Sequence, residues 1–247
     1  MGEFLFTHEA EMQAFVENLA SKYVGNDIIR ALVQMIPIVG PLIDGIMATP
    51  GNQFKDRRIN EFLLLLYHSC KVLEDRMTNL EFEANIKWAN TEEFYDMFNL
   101  ALEGATKSRG REKRIMNVMI LTNIFSVKNE GQFRPEEYIF ALEQLSPLEV
   151  KIILLFYQIC IRDAEHIDNE SELQRANRID AQGKIVTELG IDREDLLFLL
   201  KRIEKSGFIK EITGSFWGYV GGRFTITESL NRMMTYISNH PFAYLVI

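Results

Sequence analysis

The chain is short of the residues that usually carry chemistry. It holds two cysteines in 247 residues, Cys70 and Cys160, 90 positions apart. A disulfide framework or a zinc site needs more cysteines at closer spacing, so both read as buried thiols in a reducing compartment. The histidines His8, His68, His166 and His240 are scattered, and none has a neighbour at metal-ligand spacing. His68 lies two positions from Cys70 on one helix and points away from that thiol, which makes it a core histidine. His166 and Asp168 form only a weak pair in a polar stretch. No Walker-type phosphate loop, dinucleotide-binding glycine pattern, zinc-protease helix or nucleophile-elbow serine occurs. Gly218, Gly221 and Gly222 precede no helix N-terminus directly and suit a turn better than a phosphate loop. The expectation is a non-enzymatic protein with no catalytic residues, metal or cofactor.

An excess of positive charge is missing too. Lysine and arginine number 27 against 35 acids, a formal net charge of −8, which argues against a surface that tracks phosphate throughout. Long apolar runs are also absent. The most apolar stretch, DIIRALVQMIPIVGPLIDGIMAT from Asp27 to Thr49, has 13 uncharged residues between Arg30 and Asp44. A spanning helix needs about 20, and Pro37, Gly40 and Pro41 interrupt this one. It reads as two short helices bent at PIVGP and buried as a hairpin; the competing reading is a membrane-active hairpin over 28–48. The opening MGEFLFTHEAEM lacks the basic flank and apolar run of a signal peptide, so a cytoplasmic protein is expected.

What the chain does have is helical periodicity. Met12, Phe15, Val16, Leu19 and Tyr23 predict a helix over 8–24. Ile59, Phe62, Leu63, Leu66, Cys70, Leu73 and Met77 make a near-heptad seam on a helix over 54–80, with Leu64, Leu65 and Tyr67 adding apolar surface off the seam. Thr91-Glu92-Glu93 predicts a capped helix start. That helix runs into KSRGREKR, Lys107 to Arg114, with five basic residues and one acid. The stretch reads as a solvated loop between two helices; if functional, Lys107, Arg109, Arg111, Lys113 and Arg114 would contact phosphate without reading sequence. A helix over 112–126 directs Ile115, Val118, Met119, Thr122 and Ile124 to a core, and Pro135 opens a short helix to 145. Ser146-Pro147-Leu148-Glu149 has the spacing of a capping box. It opens a second unit, dividing the chain into 1–145 and 146–247, with a helix over 147–161 and a polar loop or exposed helix over 163–177.

The C-terminal unit has the order helix, turn, helix, strand, long turn, strand, helix. A short helix over 179–189 is followed by a turn at Gly190-Ile191. Asp192 caps the next helix with Asp195 at its third position, and Ser206-Gly207 ends it. FIKEI, 208–212, and RFTIT, 223–227, alternate like paired strands around TGSFWGYVGG. Thr227-Glu228 then starts a helix carrying Leu230, Met233, Met234 and Ile237.

LGIDREDLLFLLKRIEKSGFI followed by RFTITESLNRMMTYI resembles the winged-helix pattern of many bacterial regulators over about 146–239. With Leu196, Leu200 and Ile203 inward, the reading helix would show Glu194, Phe198, Lys201 and Lys205. A DNA-reading helix offers Arg, Lys, Asn, Gln or Ser near its start, whereas this one offers Asp192, Glu194 and Asp195. Residues 146–247 carry 12 basic against 14 acidic residues, a net of −2. Together with Phe216, Trp217 and Tyr219 at the wing tip, the pattern favours a protein partner or self-association over DNA. YIFALEQLSPLEVKIILLFY, 138–157, is similar to the junction in abortive-infection alpha-type proteins, and IPIVGPLIDGI, 36–46, resembles their hairpin. EEFYDMFNLALEGATKSRGREKRIMNVMILTNIF, 92–125, resembles a helical segment of many uncharacterised bacterial proteins. The resemblance implies a mainly α protein, an N-terminal multi-helix domain followed by an α+β winged helix with a two-stranded wing. It also implies a bacterial or prophage protein of phage defence or stress, with no catalytic residues to carry over. The alternatives are a winged-helix transcriptional regulator and a membrane-active helical effector.

Overall fold

A computed structural model describes residues 53–75, 91–123, 135–162, 171–212, 221–238, 240 and 243. The helices expected over 8–24 and 28–48, the wing tip with Phe216, Trp217 and Tyr219, and the His166/Asp168 pair lie outside the described residues. The described architecture is mainly helical, with one small antiparallel sheet near the C-terminal end. In chain order the elements are α1 Gln53–Glu74, α2 Glu92–Lys107, α3 Arg111–Asn123, α4 Pro135–Glu143, α5 Pro147–Arg162, α6 Glu172–Ile179, α7 Ala181–Leu189, α8 Arg193–Glu204, β1 Ile209–Glu211, β2 Phe224–Ile226 and α9 Glu228–Ser238.

From Ile59 to Leu73 the seam predicted on α1 is buried, and so are Leu64 and Leu65 beside it, because α2 and α3 both pack against the helix; Met77 lies outside the described residues. Phe62 meets Phe98 of α2 edge to face at 6.1 Å between ring centroids, and Phe94 stacks on Phe98 at 6.2 Å. Each such side chain, fully buried, contributes about 1.5–3 kcal/mol by removal from water. Thr91 caps α2 as expected, its Oγ1 accepting from the amide of Phe94 at 3.4 Å.

Helix α3 is the hub. It contacts α1, α2, α4, α5 and α9, and every residue from Glu112 to Asn123 is buried. The predicted one-sided face of Ile115, Val118, Met119 and Thr122 is therefore only part of what it buries; Met116, Ile120 and Leu121 are covered as well. Periodicity finds one apolar stripe, and a helix enclosed on all sides has no stripe to find.

The capping box at 146–149 forms in both directions. The Ser146 amide donates to Glu149 Oε2 at 2.7 Å and the Glu149 amide to Ser146 Oγ at 3.3 Å. A second reciprocal box, Ser171 with Gln174, starts α6 inside the stretch read as a polar loop or exposed helix. Asp180, left-handed at φ 44°, separates α6 from α7, so the expected helix over 179–189 begins two residues later. Asp192 precedes α8 but accepts from the adjacent Arg193 amide rather than from the third position. Gly207, at φ 80°, supplies the left-handed residue after α8.

In the sheet, Ile209 faces Ile226, Lys210 faces Thr225 and Glu211 faces Phe224. Hydrogen bonds from Ile212 to Arg223 and from Thr227 to Phe208 extend the ladder at both ends. Buried residues from Ile59 to Ile237 form one connected cluster that runs through the 145/146 junction without interruption.

Candidate functional site

Two surfaces gather the residues singled out by the sequence. On α8, Leu196, Leu200 and Ile203 turn into the core as expected. On the other side Glu194, Asp195, Lys201 and Lys205 are exposed, and Phe198 is 63% exposed. The cations there are not equivalent. Lys201 Nζ sits 2.6 Å from Glu211 Oε2 and 3.2 Å from Glu204 Oε2, and 5.4 Å from the centre of the Phe224 ring. The hydrogen bonds that Lys201 donates to Glu211 and Glu204 raise the lysine's pKa, and Lys201 with the Gly222 amide lowers that of Glu211. Arg202 Nε lies 3.1 Å from Glu149 Oε1 on α5, and its guanidinium is 5.9 Å from the Phe198 ring centre. Arg193 and Lys205 have no carboxylate partner among the described residues. This end of the molecule thus shows an exposed phenyl ring among exposed acids, with Lys201 and Arg202 neutralised by the protein's own carboxylates.

The second surface corrects the reading of 107–114 as a solvated loop. Only 108–110 are non-helical; Arg111 starts α3 and the following charges point inward. Lys113 Nζ is 3.3 Å from Glu143 Oε2 and also donates to the carbonyls of Glu143 and Leu145 at 3.1 and 3.2 Å, closing the C-terminal end of α4. Arg114 Nη2 is 2.9 Å from Glu61 Oε2, and Arg111 Nε is 2.6 Å from Glu61 Oε1. Arg114 Nη1 donates to the carbonyls of Ser108 and Gly110, pinning the turn. Burial lowers the Arg114 pKa despite the Glu61 partner that raises it. Lys107 pairs with Glu103 at 3.1 Å on the exposed side of α2, and Arg109 is exposed. Of the five predicted phosphate-contacting residues, Lys113 and Arg114 have their charges engaged inside the fold.

Between α1, the 108–110 turn and the start of α5 lies a cleft of about 430 Å³. Arg57, Arg58, Arg109, Arg111, Arg114 and Lys151 line it, against the acids Glu61 and Glu112. Lys151 and Glu112 pair at 3.4 Å. Arg58 Nη1 donates to the Thr106 carbonyl at the end of α2 at 2.9 Å. Gly110 forms the floor against Pro147; a Cβ there would lie 2.9 Å from the proline Cβ, so only glycine lets the turn approach α5 this closely. Phe54, 70% exposed, stands at the rim.

Arg57, Arg58 and Lys151 escaped the sequence reading, since nothing local links them to 109–114. A signal existed nonetheless. Arg111, Lys113 and Arg114 occupy the first turn of α3, where the helix dipole disfavours cations. A local rule broken three times in four residues marks compensation from elsewhere, and Glu61 and Glu143 supply it.

Among the described residues no helix is long and apolar enough to cross a membrane, and no group of three or more potential ligands is arranged to hold a metal ion. Against known families, curated proteins and solved structures, the chain matches no family model, no relative and no structure.

Proposed function

We propose that this chain is a non-enzymatic binding protein whose C-terminal unit is a winged helix turned toward a polypeptide partner, and that it serves a bacterial or prophage defence or stress response in the cytoplasm. The element order from α7 through α9, with the antiparallel β1–β2 pair, supports the winged-helix reading. The partner reading rests on one observation: Lys201 is clamped between Glu204 and Glu211 while Phe198 stays 63% exposed beside Glu194 and Asp195. A duplex approaching α8 would meet carboxylates first, and the lysine best placed to contact phosphate is neutralised. An exposed phenyl ring flanked by charge is instead the composition of a protein-contact anchor.

A photo-crosslinking residue at position 198 tests this in cells. The expected product is a discrete adduct with a polypeptide, accompanied by loss of that partner in pull-downs with Phe198→Asp. Duplex binding at about 50 mM salt, where phosphate contacts are strong, lost on Arg193→Glu and Lys205→Glu but unaffected by Phe198→Asp, would replace this reading with a DNA-binding one.

A further inference from the structure

The cleft between α1, α3 and α5 is a charge anomaly. Its lining carries six cations and two acids, a surplus of +4, in a chain of net charge −8. Both acids are taken up internally. Glu61 is shared between Arg111 and Arg114, and Glu112 pairs with Lys151. Arg57, Arg58 and Arg109 are left with no carboxylate partner among the described residues. Concentrated like charge in a concave site is self-repulsive; Arg58 also caps α2 through the Thr106 carbonyl, which leaves Arg57 and Arg109 as cations that no ion pair among the described residues accounts for.

The size and the donors of the cleft point the same way. The volume falls within the about 300–1,000 Å³ common for small-molecule sites. Arginine forks match the oxygens of phosphate in pairs, and Phe54 at the rim offers an exposed ring on which a planar base can stack.

We infer that this cleft binds a nucleoside di- or triphosphate, with the phosphates on Arg57, Arg58 and Arg109 and the base against Phe54. A ligand of this class carries negative charge comparable to the surplus and combines it with an aromatic face, which inorganic phosphate lacks. No residue that lines the cleft belongs to α8, and the site stands independently of the partner proposed for that helix.

Calorimetric titration of the full chain with ATP, GTP, pyrophosphate and a twenty-nucleotide single strand, at low and moderate salt, decides it. Nucleotide binding should weaken as salt rises and fall about tenfold for each of Arg57→Ala and Arg109→Ala. Both side chains are exposed, so the variants should keep the parent's circular dichroism and melting temperature. Phe54→Ala should weaken ATP or GTP severalfold and leave pyrophosphate unchanged. Absence of binding to every probe at low salt, or binding indifferent to the double arginine variant, overturns the proposal. A single strand held more tightly than any nucleotide, with sensitivity to the same arginines, also overturns it and makes the cleft a nucleic-acid groove.

Discussion

Arg114 on α3 reaches Glu61 on α1 at 2.9 Å, and each side chain is 5% exposed. The same carboxylate holds Arg111 with its other oxygen, so one buried acid ties two arginines of the first turn of α3 to the neighbouring helix. Removing one member of such a group leaves an uncompensated charge away from water. Glu61→Ala is expected to cost about 3–5 kcal/mol, whereas Glu61→Leu combined with Arg114→Met should recover most of that loss, because the buried charge disappears with its partner. Urea denaturation of the single and double variants measures both; a double variant no more stable than either single one would show that the pair is not what holds α1 to α3.

Gly104 and Glu143 make a steric test of the neighbouring pair. A Cβ on Gly104 would lie 2.0 Å from the Glu143 carboxyl carbon. That carboxylate is held by Lys113 at 3.3 Å and by the Asn117 amide at 2.8 Å, so it cannot move aside freely. In an open helix position glycine to alanine gains about 1 kcal/mol; here overpacking of about 1–3 kcal/mol opposes it, and Gly104→Ala should destabilise. In a Glu143→Ala background the same substitution should stabilise. A double-mutant cycle followed by thermal melting reads the reversal of sign.

Glu149 serves two neighbours at once. It closes the capping box of α5 and receives Arg202 from α8, and its side chain is 1% exposed. Glutamine at this position keeps an acceptor for the Ser146 amide but loses the charge facing Arg202. Glu149→Gln should therefore cost less than Glu149→Ala, which removes a cap contact worth about 0.5–2 kcal/mol as well. Equal losses in chemical denaturation would mean that the Arg202 contact, not the cap, is what matters.

The Lys201–Glu211 pair gives stability a pH signature. Glu211 titrates below the ordinary carboxylate range because of Lys201 and the Gly222 amide. Its folded value is lower than its unfolded one, so its contribution is present above the unfolded value and fades as pH falls through the folded one. Lys201 is shifted upward, chiefly by Glu211; its contribution is present below the unfolded lysine value and is lost as pH rises through the folded one. The melting-temperature gap between the parent and Glu211→Gln should be flat from about pH 6 to 9 and narrow below about pH 4. A gap unchanged down to pH 2.5 would show that the charge of Glu211 contributes nothing to it.

Much of the described scaffold was legible along the chain, and the reason is that its signals are local. Thr91, the Ser146–Glu149 box, Gly207 and the alternation of 208–212 and 223–227 act within a few residues of themselves, so sequence order alone determined α2, α5, the end of α8 and the paired strands. The same holds for the exposed acids and Phe198 on α8, since Leu196, Leu200 and Ile203 set the inward side by spacing. What tertiary structure alone decided is the fate of the charges. KSRGREKR looks solvated because charge normally seeks water, yet α3 became the central helix, and Glu61, from fifty residues away, and Glu143 made burial of Arg114 and Lys113 tolerable. Whether a cation faces water, a carboxylate or a cleft depends on which distant segments fold beside it, and no spacing rule along one strand of sequence carries that information.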